Sequence, residues 1–251
     1  MSREPNNLGM NIRYSETRVV QVAETELLRR GIVVRPGTAG QDAAVDRLGV
    51  SFNMLRTQVL HRLTQKGWNT LAVTSPQANT GKTMSAINLA ISMARELHHT
   101  VLLVDLDLRK PKMHEYFGFT PTIGIEDILD GSAELSSALV NPGIERLVML
   151  PAKGPVWNSA ELLASPAMAQ LVMDLKSRYP SRFILFDMPP LLPTDDTIAF
   201  VPHVDCVLLV IEDGRTLRTD IERSVGLLNG ASTPLLGTVL NKADVRQPTY
   251  P

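Results

Sequence analysis

The chain has 251 residues, 44% of them hydrophobic, and a formal net charge of −1. The length fits one α/β domain with a short arm, and the charge argues against a dedicated nucleic-acid-binding protein, which is usually clearly basic. The single cysteine, Cys206, excludes an internal disulfide framework, and we expect it to be a buried strand residue. The polar start does not resemble a signal peptide, and no run of about 18 apolar residues is present. We therefore expect no transmembrane segment and a cytoplasmic location.

The first 66 residues predict an arm and two helices. Residues 1–14 are polar and are expected to be loose. A helix is predicted from Ser15 to Arg30, with Gly31 as its stop. After a linker at Pro36–Gln41, a second helix is predicted from Asp42 to Lys66. The apolar face of the first helix contains Val19, Val22, Leu27 and Leu28. This pattern suggests two parts, an N-terminal arm with a helix and linker at 1–45 and a larger domain with a short tail at 46–251.

From Gly67 onwards, short apolar runs alternate with helical stretches. The runs are apolar on both faces, which is typical of parallel strands buried between helical layers. We therefore predict an α/β fold with a doubly wound, mostly parallel sheet and helices on both faces, of the P-loop NTPase type. Ligands of such sheets bind at the carboxyl ends of the strands. The predicted strands are Leu71–Val73, Val101–Val104, Leu147–Leu150, Phe183–Phe186, Val207–Ile211 and Leu235–Leu240.

A candidate phosphate-binding loop follows the first run. The stretch Ser75–Thr83 ends in Gly-Lys-Thr and lies between a predicted strand and an amphipathic helix, as the phosphate-binding motif requires. Backbone amides at the helix start hold phosphate oxygens, while Lys82 is expected to reach the β- and γ-phosphates and Thr83 to bind Mg²⁺. Pro76 replaces the usual opening glycine, and Gly-Lys-Thr alone would also fit an ordinary helix start. The residues expected to contact ATP are Gln77, Ala78, Asn79, Thr80, Gly81, Lys82, Thr83, Met84, Arg109 and Asn241.

Acidic residues follow two further runs. Asp105 and Asp107 come after one strand, and Asp187 comes after another. Buried carboxylates are costly unless they are compensated, and Mg²⁺ with its water shell would compensate them; a single acid at such a point is often a turn residue or a helix cap. With Lys82, these three acids are the candidate catalytic residues. The expected magnesium ligands are Thr83, Asp105 and, through water, Asp187.

Two residues beside these acids have more specific expected roles. Asp107 is the candidate general base. Arg109 either steadies the transferred charge or is a solvated surface arginine.

These motifs resemble the bacterial tyrosine kinases of capsule and exopolysaccharide synthesis. The strongest similarity lies in Val101–Pro111, which resembles the family's second acidic Walker motif, and in Ile184–Pro190, which resembles its Walker B segment. Asp195 and Asp196 follow that segment. Further similar stretches are Gly124–Gly131, Leu150–Ala152, Asn158–Ser165 and Gly237–Lys242. The resemblance covers about Val50 to Asp244.

The resemblance implies an ATP- and Mg²⁺-dependent autokinase that phosphorylates tyrosines in its own tail. It also implies activation by the cytoplasmic segment of a membrane protein that governs polysaccharide chain length. This chain shows no transmembrane part, so the resemblance implies a split system in which the kinase sits at the inner face of the plasma membrane through its partner.

Two departures from the family bear on assembly and activity. The family's first helix carries a Glu-x-x-Arg-x-x-Arg motif used in ring assembly, but only Arg56 of the motif remains here, with Val50 and Asn53 at the other two positions. We therefore expect weak self-association. The last ten residues contain one tyrosine, Tyr250, where the family has many.

Tyr250 is the predicted phosphate acceptor. A tail leaving the last strand spans roughly 30 Å at about 3.3 Å per residue, enough to reach a neighbouring active site. Tyr14 lies in the polar arm and stays an alternative, whereas Tyr116 and Tyr179 are expected to be partly packed in helical stretches.

Two other functions fit the same motifs. The first is a non-catalytic ATP-binding regulator of the same export system, which the missing helix motif and the sparse tail favour. The second is a partitioning or septum-placement ATPase. Such ATPases carry an extra lysine near the start of the loop, where this chain has Gln77.

Overall fold

A computed structural model describes residues 17–35, 43–96, 99–178 and 182–243. Within these ranges eight strands form one sheet in the order β1-β4-β5-β3-β6-β2-β7-β8. All neighbouring strands run parallel except β4 and β5. The strands are β1 (Arg18–Val19), β2 (Thr70–Thr74), β3 (Thr100–Asp105), β4 (Val140–Asn141), β5 (Leu147–Leu150), β6 (Arg182–Asp187), β7 (Cys206–Glu212) and β8 (Leu235–Asn241).

The predicted α/β sheet is confirmed. All six predicted strands are present, and most extend one residue further at one or both ends. Cys206 is buried at the start of β7, as expected, and this burial raises the pKa of its thiol to about 12. The short strands β1 and β4 were not predicted, because two residues are too few to give a periodic pattern.

Ten α-helices connect the strands within the described residues. The helix predicted from Asp42 begins at Ala43 and ends at Lys66 as expected; Asp42 lies outside the described residues. No helix in the described part of the chain is long and apolar enough to cross a membrane. The helices are α1 (Glu24–Arg29), α2 (Ala43–Lys66), α3 (Lys82–Ala94), α4 (Met113–Tyr116), α5 (Ile125–Leu129), α6 (Leu135–Ala138), α7 (Ser159–Leu163), α8 (Pro166–Arg178), α9 (Asp196–Phe200) and α10 (Arg218–Gly230).

The helix predicted from Ser15 to Arg30 is wrong over residues 17–23, while Ser15 and Glu16 lie outside the described residues. Residues 18–19 form β1, and the backbone N–H of Val20 donates to the carbonyl of Asn141 at 2.8 Å. Val19 is exposed rather than part of an apolar face. Pairing with a distant strand outweighs a weak helical pattern here, because β-branched residues suit extended backbone. The helix that does form is α1, and Gly31 ends it with φ +78°.

The sheet lies between two hydrophobic clusters, one on each face. Successive residues of β2 alternate between them: Leu71 and Val73 face the cluster with α2 and α3, while Ala72 faces the other. Leu27 and Ile32 belong to the first cluster, so the described residues 17–35 pack on the same core as the sheet. The proposed division of the chain at residue 45 stays a prediction.

Candidate functional site

The phosphate loop joins β2 to α3 and needs two left-handed residues. Asn79 has φ +65° and Gly81 has φ +88°. Such a bend turns successive backbone N–H groups into one concavity, which is a typical anion-binding arrangement. A side chain at Gly81 would also lie 2.2 Å from the amide nitrogen of Asn241. Glycine is therefore required at position 81 both by backbone conformation and by space.

The end of β8 is fastened to this loop. The side-chain amide of Asn241 donates to the carbonyl of Thr80 at 2.7 Å, and the Lys242 ammonium donates to the carbonyl of Asn79, also at 2.7 Å. Lys242 also lies 3.1 Å from the carboxylate of Glu212. Asn241 thus supports the conformation of the loop by binding the loop's backbone.

Lys82, the first residue of α3, lies between two of the predicted acids. Its ammonium is 2.8 Å from Asp107 and 3.5 Å from Asp187. Burial acts to lower the pKa of Lys82, but the attraction of Asp187, Asp107 and Asp105 outweighs it, so the pKa is raised. The lysine is therefore a fully charged group in a nearly buried position, which suits binding of a phosphate anion.

Asp105 and Asp187 lie side by side at the ends of the neighbouring strands β3 and β6, since they are register partners. Both are buried, and burial raises both pKa values; the charge of Asp187 raises that of Asp105 further. Asp105 accepts backbone N–H bonds on both oxygens, from Asp107 at 3.2 Å and from Met113 at 3.1 Å. Asp105 therefore fixes the backbone after β3 and keeps spare lone pairs for a ligand.

Asp187 fits a magnesium-linked role for a different reason. One of its oxygens is buried and has no hydrogen-bond partner, and a side-chain hydrogen bond from Thr83 favours its charged form. That oxygen, Oδ1, lies 3.5 Å from the Lys82 ammonium, and a carboxylate oxygen beside a threonine hydroxyl matches the oxygen ligands that Mg²⁺ prefers. Among the described residues no three His, Cys, Asp or Glu side chains form a metal cluster. The oxygen donors present here, from Asp105, Asp187 and Thr83, suit a cation that takes its other ligands from phosphates and water.

A cavity of about 420 Å³ opens beside the loop. Of the residues expected to contact ATP, Gln77, Thr80, Met84 and Asn241 do not line it. Nor do the two buried acids, Asp105 and Asp187. The lining residues are Ala78, Asn79, Gly81, Lys82, Thr83, Asp107, Arg109, Lys110, Lys112, Tyr116, Pro189, Pro190, Pro193 and Thr194.

Several of the lining residues were missed by sequence reasoning. Lys110 and Lys112 add positive charge to the rim, and Tyr116 adds an aromatic wall. The two lysines follow Asp107 closely, so a basic run directly after an acidic strand end was the available signal. Tyr116 gave no such signal, because only the fold of residues 105–116 brings it back to the loop.

Arg109 lines the cavity but is held by acids. Its Nε donates to Asp196 at 2.7 Å, and its guanidinium lies 3.8 Å from Asp195. Asp196 is buried, so the pair fixes the direction of the arginine side chain. Its side chain is nevertheless 40% exposed, so a role of Arg109 towards the transferred charge stays a prediction.

Gln77 lies on the other side of the loop. Its side-chain amide donates to Asp220 of α10 at 2.8 Å, and both residues line a second cavity of about 260 Å³. The glutamine is thus engaged within its own chain.

Comparison with known proteins identifies the family. The family described as "CobQ/CobB/MinD/ParA nucleotide binding domain" matches residues 71–249. Succinoglycan biosynthesis transport protein ExoP of Rhizobium meliloti is 34% identical over 183 residues, which are 70% of this chain and 22% of ExoP. Tyrosine-protein kinase YwqD of Bacillus subtilis is 29% identical over 191 residues, 76% of this chain and 79% of YwqD. The chain thus spans most of YwqD but less than a quarter of ExoP.

Solved structures agree with this assignment. The kinase domain of the Escherichia coli tyrosine kinase ETK has a TM-score of 0.74 at 25% identity, over 93% of this chain and 92% of that domain. The septum site-determining protein MinD of Pyrococcus horikoshii, complexed with Mg-ADP, shares the fold with a TM-score of 0.59 at 24% identity, over 70% of this chain and 72% of its own. The predicted resemblance to bacterial tyrosine kinases is confirmed, and the chain belongs to the CobQ/CobB/MinD/ParA nucleotide-binding family, among relatives named tyrosine-protein kinases.

Proposed function

We propose that the chain is an ATP-dependent protein-tyrosine autokinase that regulates exopolysaccharide or capsule polymerisation and export. The observation that carries the proposal is the position of Lys82. It begins the helix after the phosphate loop and lies within 2.8 Å of Asp107 and 3.5 Å of Asp187. A charged lysine among strand-end acids is suited to hold a nucleotide phosphate together with a hydrated magnesium ion.

The residues divide the work of binding. Backbone N–H groups between Ala78 and Thr83 receive the phosphates, and Lys82 turns from Asp107 to the β- and γ-phosphates. Thr83 and Asp105 would hold Mg²⁺, and Asp187 would bind a water of its shell. When bound, the ion neutralises the charge that develops on the phosphates. Asn241 and Gln77 stabilise the conformation of the loop rather than contact the nucleotide. Their hydrogen bonds to Thr80 and Asp220 support this role.

Phosphate transfer then needs one base. The hydroxyl oxygen of the acceptor tyrosine attacks the γ-phosphorus, its O–H bond breaks, and the proton passes to Asp107. The bond between the γ-phosphorus and the bridging oxygen breaks, and ADP leaves with that electron pair. Asp107 is supported in this role because it is the one predicted acid that lines the cavity. Tyr250, which lies outside the described residues, is the proposed acceptor.

The proposed partner is the cytoplasmic segment of a membrane polysaccharide chain-length regulator. Support comes from ExoP, a named transport protein of polysaccharide biosynthesis, of which this chain matches 22%. In this proposal the chain supplies the kinase portion as a separate protein, held at the inner face of the plasma membrane by the partner.

A non-catalytic ATP-binding regulator is the second candidate. The ion pair between Lys82 and Asp107 favours it, because the Lys82 ammonium occupies a carboxylate oxygen of Asp107 that would have to accept the proton of the acceptor hydroxyl. A phosphotransfer assay separates the two candidates. The purified chain is incubated with Mg-ATP and the partner's cytoplasmic segment, and phosphotyrosine is measured. A kinase gives phosphotyrosine that Lys82→Met abolishes; bound ATP without phosphotyrosine supports the regulator.

A further inference from the structure

Tyr116 is the one aromatic residue among the described residues that line the main cavity. The residue is half-buried and packs against the hydrophobic cluster on the α3 side of the sheet. Burial raises the pKa of Tyr116, and the nearby charge of Asp187 raises it further, while Lys82 acts to lower it. The hydroxyl therefore stays protonated near neutral pH, within the electrostatic reach of the two residues at the phosphate end of the cavity.

The helix that carries Tyr116 is held at both ends by charged side chains. At its start, the backbone N–H of Met113 donates to the buried carboxylate of Asp105 at 3.1 Å. At its end, the guanidinium of Arg30 donates to the carbonyls of Glu115 at 2.6 Å and Tyr116 at 3.2 Å. One turn of helix is not stable alone, and a cation is favourable at a helix C-terminus. Arg30 thus holds the backbone that carries the Tyr116 side chain.

Arg30 is itself fixed by two neighbours. Its Nε lies 3.0 Å and its second terminal nitrogen 2.8 Å from the carboxylate of Glu26, one turn earlier. Gly118, at φ +65°, leaves room for it, since a side chain there would lie 3.1 Å from the guanidinium. Arg30 lies before residue 71, where the match to the nucleotide-binding family begins. A residue outside the matched domain therefore reaches the wall of the candidate site.

We propose that Tyr116 donates a hydrogen bond to the terminal phosphate of bound ATP and that Arg30 is the positioning residue that aims it. This inference rests on the proposed function, which places ATP in this cavity. Loss of either residue should weaken the binding of ATP more than the binding of ADP, because ADP lacks the phosphate that the Tyr116 hydroxyl contacts.

The test compares Mg-ATP and Mg-ADP affinity by calorimetry in Tyr116→Phe, Arg30→Ala and the double variant. Arg29→Ala is the matched control: Arg29 also approaches Glu26, at 3.6 Å, but is largely exposed. Each single variant should raise the Kd of Mg-ATP about tenfold, as expected for a hydrogen bond to a charged group, and change that of Mg-ADP less than about twofold. The double variant should match Tyr116→Phe, and Arg29→Ala should match the wild type.

Three outcomes would overturn the inference. Unchanged ATP affinity in Tyr116→Phe would show that Tyr116 does not contact the phosphate. Equal losses of affinity for ATP and ADP would indicate a structural role. Effects that multiply in the double variant mean that Arg30 does not act through Tyr116. Tyr116→Phe tests the contact even if Arg30→Ala fails to fold. Lys82→Met tests the proposed function independently of Tyr116. If that variant binds ATP as tightly as the wild type, the proposed function is contradicted, whatever the result for Tyr116→Phe.

Discussion

Lys82 and Asp107 form an ion pair of 2.8 Å between the start of the helix after the phosphate loop and the end of β3. Without nucleotide the two charges compensate each other in a nearly buried site. Bound phosphate would compete for the same ammonium, and the released Asp107 would become available as a base. The pair therefore couples nucleotide binding to the availability of the proposed base.

This coupling gives opposite expectations for binding and turnover in Asp107→Asn. Without the competing carboxylate, Mg-ATP should bind at least as tightly as in the wild type. Phosphate transfer should fall about 10²–10⁴-fold, the usual contribution of a general base. Calorimetry and a radiolabel transfer assay measure the two effects. A variant that binds ATP poorly yet transfers at the wild-type rate would show that Asp107 is a binding residue.

Lys82→Met should cost on the order of 2–5 kcal/mol of Mg-ATP binding, the range for truncating one partner of a buried charge pair. The physical reason is the loss of a buried cation that three nearby carboxylates keep charged. Lys66→Met, at the exposed end of α2, is the matched control and should bind like the wild type. Equal affinity for Mg-ATP in Lys82→Met and in the control, measured by calorimetry, would contradict the assignment of Ser75–Thr83 as a phosphate-binding loop.

Asp187→Asn and Asp105→Asn should separate charge from backbone support. The raised pKa of Asp187 means that its contribution to stability is present below the unfolded-state pKa and is lost as pH rises through the folded-state pKa. In Asp187→Asn no buried carboxyl ionises at this position, so this loss of stability does not occur. Without metal at neutral pH, the melting temperature of the variant should therefore equal or exceed that of the wild type. Asp105→Asn replaces one of two backbone acceptors with a donor and should cost about 1–3 kcal/mol. Thermal unfolding with EDTA measures both; destabilisation by Asp187→Asn would contradict the account.

Magnesium binding should weaken as the pH falls. Burial raises the pKa values of Asp105 and Asp187, so protons compete with the metal for both carboxylates over a higher pH range than for exposed acids. We expect the affinity for Mg-ATP to rise with pH until both groups are ionised, and affinity measured in EDTA to be lower at every pH. Titrations across the acidic range test this. If the effect of Mg²⁺ on ATP affinity did not change with pH in the wild type, Asp105 and Asp187 would be excluded as metal ligands.

Self-association should be weak, because the remaining motif arginine is engaged within its own chain. Arg56 lies 3.2 Å from Glu96 and donates to the carbonyl of Ser92 at 3.3 Å, while Asn53 accepts from the Ser92 hydroxyl at 3.0 Å. The exposed side chains on the same helix include Val50 and Met54. Light scattering should show mainly monomer. Val50→Glu with Asn53→Arg restores the charges of the family motif and should increase association; a stable wild-type ring without ATP or partner would contradict this.

Much of the sheet was predictable from the sequence, but part of the site was not. Strands such as β3 and β6 are buried on both faces over most of their length, so their composition alone identifies them. The acids at and just after their ends come together because parallel strands end on one edge. The β1 pairing and the place of Arg30 depend on contacts with distant residues, Asn141 and Tyr116, which local periodicity does not contain. Gln77 was expected at the nucleotide, but only the structure shows its hydrogen bond to Asp220.

The same hydrogen bond bears on the partitioning-type ATPase. That class carries a lysine where this chain has Gln77, and the glutamine amide is held by Asp220 of its own chain. We therefore expect Mg-ATP to induce no binding to duplex DNA or to bare lipid vesicles. Co-sedimentation measures both, and ATP-dependent binding to either would revive this alternative.

The most direct test of the kinase proposal is the intact mass of the chain after incubation with Mg-ATP and the partner's cytoplasmic segment. We expect one added phosphate in the wild type, mapped by peptide mass spectrometry to Tyr250. It should be absent from Tyr250→Phe and Lys82→Met. A wild-type chain that binds Mg-ATP and the partner but gains no phosphate on any tyrosine would contradict the kinase account and support the non-catalytic regulator.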